Sequence, residues 1–325
     1  MRRTLGVATA LVGIAALTLA ASPVNAATLP DGDRVYILPC DDEEFDGLLY
    51  EVDTATGVAT QVGDWQNPDT AVFSCAGPGA YNPTNGLGYW ISWTSPQAQL
   101  ISVDLSTGVS TVVGGFTLEG QPYYTPIAIA IDNAGNAWAT SWDVTPDVLF
   151  SVDLSTAALT VVGPTGVTEE SENYGLAWDS VTQKLYGYNV DTTDFYTVDT
   201  TTGAFTVFAE DVLEDVVPYA IAFDSAGQVW GISEDIISSP ITDFASAEVL
   251  SVVNPNTVSE DPEDTIYSES IIIVPAAPAP APVPAPAPEP VLAATGSDNG
   301  NMGMIFGFGA LLVIAGAVIA RRRTA

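Results

Sequence analysis

Histidine is absent from this 325-residue chain, and 7 basic side chains face 40 acidic ones, for a formal charge of −33. Without an imidazole there is no Ser-His-Asp chemistry and no zinc site of the usual histidine-containing kinds. Lysine and arginine are too few to cluster against phosphate, so nucleic acid is not a partner. Charge alone will not hold the chain to an anionic membrane either. The acidity does favour solubility and cations at the surface, calcium among them. A solvated acidic shell with no cofactor is the plainer expectation.

Long apolar runs are confined to the two ends. Residues 1–26 carry two arginines, an apolar and small-residue run over 5–21 and then Val24-Asn25-Ala26. The run is short and ends in small residues suited to a signal peptidase, which predicts a secretory signal peptide rather than a membrane span. At the other end, residues 275–291 alternate proline with alanine and valine, a composition that favours an extended semi-rigid linker and builds no core. Leu292-Ala293-Ala294-Thr295-Gly296 follows, then a polar gap, the apolar run 302–320 and Arg321-Arg322-Arg323. As a helix, that run would span roughly 28 Å, about the hydrocarbon thickness of a bilayer. The arginines would stay cytoplasmic.

The order of those C-terminal parts resembles the sorting signal of sortase substrates in Gram-positive bacteria, with Ala293 where proline is commonest. The Leu-Ala-x-Thr-Gly form resembles the substrates of a sortase class of high-GC actinobacteria. The resemblance covers only the last 35 or so residues. It implies a membrane-anchored precursor, cleavage between Thr295 and Gly296 by a sortase, and covalent transfer of Thr295 to peptidoglycan. Processing at both ends would leave 2 basic and 39 acidic residues, a formal charge of −37. In an exported chain the only two cysteines, Cys40 and Cys75, are expected to form a disulfide, worth roughly 3 kcal/mol for a loop of this size.

Between the ends, residues 27–274 repeat themselves. The phrase Leu49-Tyr50-Glu51-Val52-Asp53-Thr54-Ala55-Thr56-Gly57 returns around Asp104, Asp153 and Asp199, at steps of 51, 49 and 46 residues, and in degraded form over 249–257. A second phrase precedes three of these copies or the degraded one: Ile129-Ala130-Ile131-Asp132, Leu176-Ala177-Trp178-Asp179 and Ile221-Ala222-Phe223-Asp224, with Gly79-Ala80-Tyr81-Asn82 a looser copy. Each phrase is a strand, a short Asx-initiated turn and a second strand. Two hairpins about every 49 residues predict an all-β fold, a single β-propeller of about five four-stranded blades. The first unit lacks room for its strand A, and 265–274 is expected to lend it, or else to be the last unit's strand D. The phrases also look like the Leu-Tyr-x-Val-Asp-x-x-Thr-Gly units of secreted bacterial propeller-like proteins, a resemblance that implies fold and no substrate.

The repeated aspartates are expected to be turn formers, with calcium ligation the alternative. The recurring aromatics Tyr36, Tyr89, Trp138, Tyr186 and Trp230 are expected to pack blade on blade rather than stack on sugars. Function is expected instead in the unrepeated loops of the opposite face, including 41–47, 92–98, 115–126, 164–173, 210–218 and 233–248. That face carries Trp65, Trp93, Tyr123, Tyr124, Trp142 and Tyr174 as a candidate binding face among carboxylates such as Asp41, Glu43, Asp143, Glu169, Glu234 and Asp235. The expected activity is binding or adhesion to an extracellular glycan or protein, with no catalytic residues. The alternative, a wall-attached glycan hydrolase, would need two facing carboxylates roughly 5–10 Å apart.

Overall fold

The computed structural model describes residues 29–39, 49–63, 76–93, 97–141, 147–167, 175–213, 217–233, 236–244, 248–250 and 268–276. All of them lie in one compact unit, Met1–Pro278. The signal peptide, Cys40, Cys75, the sorting signal 292–296 and the apolar run 302–320 lie outside the described residues. Among the described residues no helix is long and apolar enough to cross a membrane.

Those residues form five sheets, each with an antiparallel four-stranded core, arranged as the blades of a propeller. Blade two is β4 (Ala76–Asn82), β5 (Leu87–Ser92), β6 (Gln99–Asp104) and β7 (Ser110–Gly115), in chain order from the axis outward. Blade three repeats the order with β10 (Pro126–Ile131), β11 (Ala137–Ser141), β12 (Val148–Asp153) and β13 (Ala158–Pro164). Blade four is β14 (Gly175–Asp179), β15 (Lys184–Tyr188), β16 (Phe195–Val198) and β17 (Phe205–Ala209). Blade five is β18 (Ala220–Phe223), β19 (Gln228–Ile232), β20 (Ile236–Pro240) and β21 (Glu248–Leu250).

Blade one is built from both ends of the compact unit. Its strands β1 (Arg34–Pro39), β2 (Tyr50–Asp53) and β3 (Val58–Gln61) are completed at the axis by β22 (Ser268–Val274), paired antiparallel with β1 through Tyr36 and Ile272. The lent strand is therefore blade one's strand A and not blade five's strand D. Side chains of Ile271, Ile272 and Ile273 are almost fully buried, so closing the ring removes an otherwise exposed apolar edge from water.

The turns explain the repeated phrases. Asp53, Asp104, Asp153 and Asp199 each accept the backbone amide two residues on, at 2.8–2.9 Å. The fourth residue after each aspartate is left-handed, with φ of 74° at Gly57, 72° at Gly108, 59° at Ala157 and 81° at Gly203. The Ser106 hydroxyl holds the Asp104 carboxyl below its ordinary range, and the Ser155 hydroxyl does the same for Asp153. In the A-B turns Asp132, Asp179 and Asp224 are buried yet satisfied in the same way, which is what lets a carboxylate sit inside. These aspartates are turn formers, as expected.

The core is five clusters, one in each crevice between neighbouring blades. Each strand-B aromatic supplies one crevice and meets the strand A of the next blade. Trp138 stacks on Trp178 at 6.1 Å between centroids, and Tyr186 meets Phe223 at 5.2 Å. Tyr89 shares a cluster with Ile131, Trp230 with Ile273, and Tyr36 with Tyr81. The blade-packing expectation for this series holds.

Two expected loops differ. Residues 233–248 contain the third strand of blade five, because Ile236 and Ile237 are buried against the blade-one crevice or its own sheet rather than exposed. Blade five's fourth strand is Glu248–Leu250, so the degraded copy over 249–257 does not keep the register of the other copies. Residues 115–126 contain a two-strand hairpin, β8 (Thr117–Leu118) and β9 (Gln121–Pro122), turned through left-handed Glu119 and Gly120. The hairpin extends blade three, β8 pairing parallel with β13, and so covers an edge that would otherwise be open.

Candidate functional site

The A-B and C-D turns share one end of the propeller, the turn face, and the B-C and D-A connections share the other, the loop face. Of the six aromatics expected on the loop face, Trp93, Tyr123 and Tyr124 are described; Trp65, Trp142 and Tyr174 lie outside the described residues. So do the acidic stretches 41–44, 169–172 and 234–235, and Asp143.

Trp93 and Tyr123 hold the loop face together. The Trp93 indole donates to the Pro126 carbonyl at 2.8 Å, and its ring lies over Gly77, where an added Cβ would stand 2.6 Å from it. The Tyr123 hydroxyl donates to Ser141 Oγ at 2.6 Å, its ring meets Phe150 edge-on at 5.4 Å, and Ser141 Oγ also bonds Thr125 Oγ1 at 3.0 Å. Both side chains thus fix the connection from blade two to blade three. Tyr124, between them, is 58% exposed. A large ring that the fold presents to solvent beside two anchored neighbours is the best placed of the three described binding-face aromatics.

The turn face carries two concavities that the unrepeated loops gave no reason to expect. One is an axial cavity of about 80 Å³ into which all five inner strands project. Four of its lining residues, Ala80, Ala130, Ala177 and Ala222, occupy the same register on β4, β10, β14 and β18. The next register, just before each turn, is Tyr81, Ile131, Trp178, Phe223 and, on β22, Ile273. Asn133, Ser180, Pro83 and Pro275 form the mouth, and no charged residue lines the cavity. The signal was visible in the repeats: the residue preceding each turn Asx is large and is aromatic in three of them, behind an invariant alanine. It reads as ordinary strand until the ring brings the copies together.

The second concavity is an open groove of about 590 Å³ between blades two and three, lined by Asn85, Tyr89, Asn136, Trp138, Ser151 and Ser155 among others. Its polar groups are largely occupied. Asn85 Nδ2 donates to the Tyr89 hydroxyl at 2.9 Å, Asn136 Nδ2 to Asp132 at 2.8 Å, and the Ser155 hydroxyl to Asp153 at 2.6 Å. Tyr89 and Trp138 show the groove only their edges, being 5% and 8% exposed. Among the described residues, no group of three or more Asp, Glu or Cys side chains is arranged to hold a metal.

No family model matches the chain, and no curated protein matches it. Among solved structures the chain is similar to one in a nidogen/laminin complex, with 15% identity over 74% of this chain and 98% of that one, at a TM-score of 0.46. It is also similar to TolB from Acinetobacter baumannii, with 14% identity over 67% of this chain and 52% of that one, at a TM-score of 0.42. A third similar structure is virginiamycin B lyase from Staphylococcus aureus, with 16% identity over 60% of each chain and a TM-score of 0.38.

Proposed function

We propose that this chain is an extracellular binding propeller, exported by its N-terminal signal and held to a Gram-positive cell wall through the Leu292–Gly296 sorting signal, with its ligand site on the loop face. The observation that carries the reading is where the chain leaves the domain. Strand β22 runs along the axis toward the turn face, and Pro275 sits at the mouth of the axial cavity there. The Pro/Ala linker begins at that point.

Pro275 and Ala276, the last described residues, lie at the turn face, and the unrepeated loops, with Tyr124 exposed among them, lie on the opposite face, which is where the ligand is proposed to bind. The ligand class this supports is a glycan or protein met by an aromatic and acidic surface. The axial cavity has no carboxylate. A two-carboxylate hydrolase, the alternative, would therefore have to find its pair in the loops.

Thr295→Ala, followed by fractionation of the cells, tests the anchoring half of the proposal. Loss from the wall fraction, with recovery in membrane or medium, is expected; unchanged covalent attachment to the wall would contradict it.

A further inference from the structure

The axial cavity has the chemistry of a monovalent-cation site, and backbone rather than side chains makes it so. A strand paired on one side only bonds its partner through alternate residues, and the residues between them turn both N–H and C=O to the open edge. On β10 and β18 the bonded residues include Asp132, whose amide donates to the Asn136 carbonyl, and Asp224, whose amide donates to the Gln228 carbonyl. Ile131 and Phe223, one residue earlier, therefore turn their backbone groups to the axis. The strand registers put Tyr81, Trp178 and Ile273 in the same phase on β4, β14 and β22. All five residues line the cavity. Their strands run toward the turn face, so each C=O lies nearer the mouth than its own N–H. With the Asn133 and Ser180 side chains beside them, the carbonyls make a ring of neutral oxygens.

The surroundings set the sign of the occupant's charge. In blades three, four and five the residue after each of these carbonyls is a turn aspartate, and Asp132, Asp179 and Asp224 are all buried. Asp33, also buried, comes to the same turn of blade one by accepting the Ala276 amide at 2.6 Å. Four carboxylates thus stand around the mouth without lining the cavity itself. Charges held out of water are weakly screened, and the whole chain carries a formal −33, so the field at the axis favours a cation over an anion on the deeper amides.

The ligand type sets which cation. Calcium and magnesium are held by carboxylates in direct contact, and none lines this cavity. A ring of backbone carbonyls instead replaces the hydration shell of potassium. A volume of about 80 Å³ takes such an ion together with a few waters on the amides below it. We infer that the axial cavity binds a potassium-sized monovalent cation on the backbone carbonyls of Tyr81, Ile131, Trp178, Phe223 and Ile273. Bound there, the ion joins the inner strands of all five blades, the closing strand β22 included, and so stabilises the closed ring. The inference stands on the strand registers and the buried aspartates and depends neither on wall sorting nor on where the extracellular ligand binds.

The test uses residues 27–295 and thallous ion, Tl⁺, which has nearly the size of potassium, carries the same charge and scatters X-rays anomalously. Crystals soaked in Tl⁺ should show an anomalous peak on the axis in contact with those carbonyls, and excess potassium should displace it. In solution, saturating potassium chloride should raise the ratio of folded to unfolded protein at least about tenfold over tetramethylammonium chloride at equal ionic strength. Ala222→Leu, which fills the cavity, should abolish that difference. The salt comparison and the crystals use the native chain, so both stand even if Ala222→Leu folds poorly. Water alone on the axis, with equal stability in the two salts, overturns the inference. Tl⁺ found only at the acidic loops or at the C-D turn aspartates overturns it as well.

Discussion

Asp33 does for blade one what Asp132, Asp179 and Asp224 do for blades three, four and five, but from the other end of the chain. Its carboxylate accepts the Ala276 amide at 2.6 Å and the Ser225 amide, in blade five, at 2.8 Å. In the register of β22 with β1, Val274 stands where the other blades have their turn aspartate, and Ala276 stands two residues on, where the capped amide lies. The chain is open at this turn, so the carboxylate arrives from the residue before β1. One side chain thereby joins the closing strand to both blades beside it.

Asp33→Ala should therefore destabilise the propeller by about 3 kcal/mol, since two hydrogen bonds to a buried charged acceptor are lost and two amides are left bare. Asp33→Asn, which keeps one acceptor, should cost about half as much. Denaturant unfolding gives the totals, and amide exchange at Ser225 and Ala276 gives the location. Unchanged protection at both amides would show that Asp33 does not close the ring.

Glycines at the ends of the outer strands separate two causes of glycine requirement. A Cβ on Gly163 would stand 2.1 Å from the Thr202 carbonyl of the next blade, although Gly163 has no left-handed φ. Gly86 is left-handed at φ +78° with nothing within 4 Å. Gly163→Ala must push two blades apart and should cost about 3 kcal/mol, against about 1 kcal/mol for Gly86→Ala. Equal costs in thermal or denaturant unfolding would mean that blade-to-blade contact is not what the strand-end glycine serves.

Tyr36 makes alkaline stability informative. Burial, with Glu51 adding to it, pushes its phenol up to about 12 from the ordinary 10.0. Because the folded value lies above the unfolded one, the stabilisation is fully present below pH 10 and is lost as pH rises toward about 12. A denaturant midpoint that falls across that window in the native chain, and falls less in Tyr36→Phe, is expected. On the acid side the sign reverses: Asp104 and Asp153 are depressed, so their contribution is present above the ordinary carboxylate range and fades as pH drops below it.

β1 ends at Pro39 and β4 starts at Ala76, on adjacent blades, and Cys40 and Cys75, their neighbours in sequence, are expected to form a disulfide. Oxidised protein should melt higher than reduced protein by an amount matching roughly 3 kcal/mol, with the fold retained on reduction. Two thiols titrating in the freshly secreted protein would refute the pairing.

The blades were legible because their turns are written in side chains. An Asx that caps its own turn and a residue that accepts positive φ three or four positions later recur in the described blade hairpins of the repeated phrases, and so does the aromatic that fills the crevice. Strand β22 could be located by what blade one lacked. Asp33 could not, because its partner lies 243 residues away and the turn it completes is not contiguous. Strand β20 was missed because Ile236-Ile237-Ser238-Ser239 is buried without the Asp-to-Gly turn that marks the other third strands. The axial cavity was hidden for a different reason. Its residues are single positions in five separate phrases, and only the closed ring makes them neighbours.

The most direct measurement of the central claim is a binding screen of residues 27–295 against glycans, wall polymers and extracellular proteins, run in parallel on Tyr124→Ala and on the turn-face variant Asn136→Ala. A ligand retained by the native chain and by Asn136→Ala, and weakened at least about tenfold by Tyr124→Ala, is the predicted result, consistent with an exposed aromatic contributing more than 1 kcal/mol to an interface. Retention that depends on Asn136 and not on Tyr124, or hydrolysis of a glycan on contact, would contradict a loop-face binding propeller.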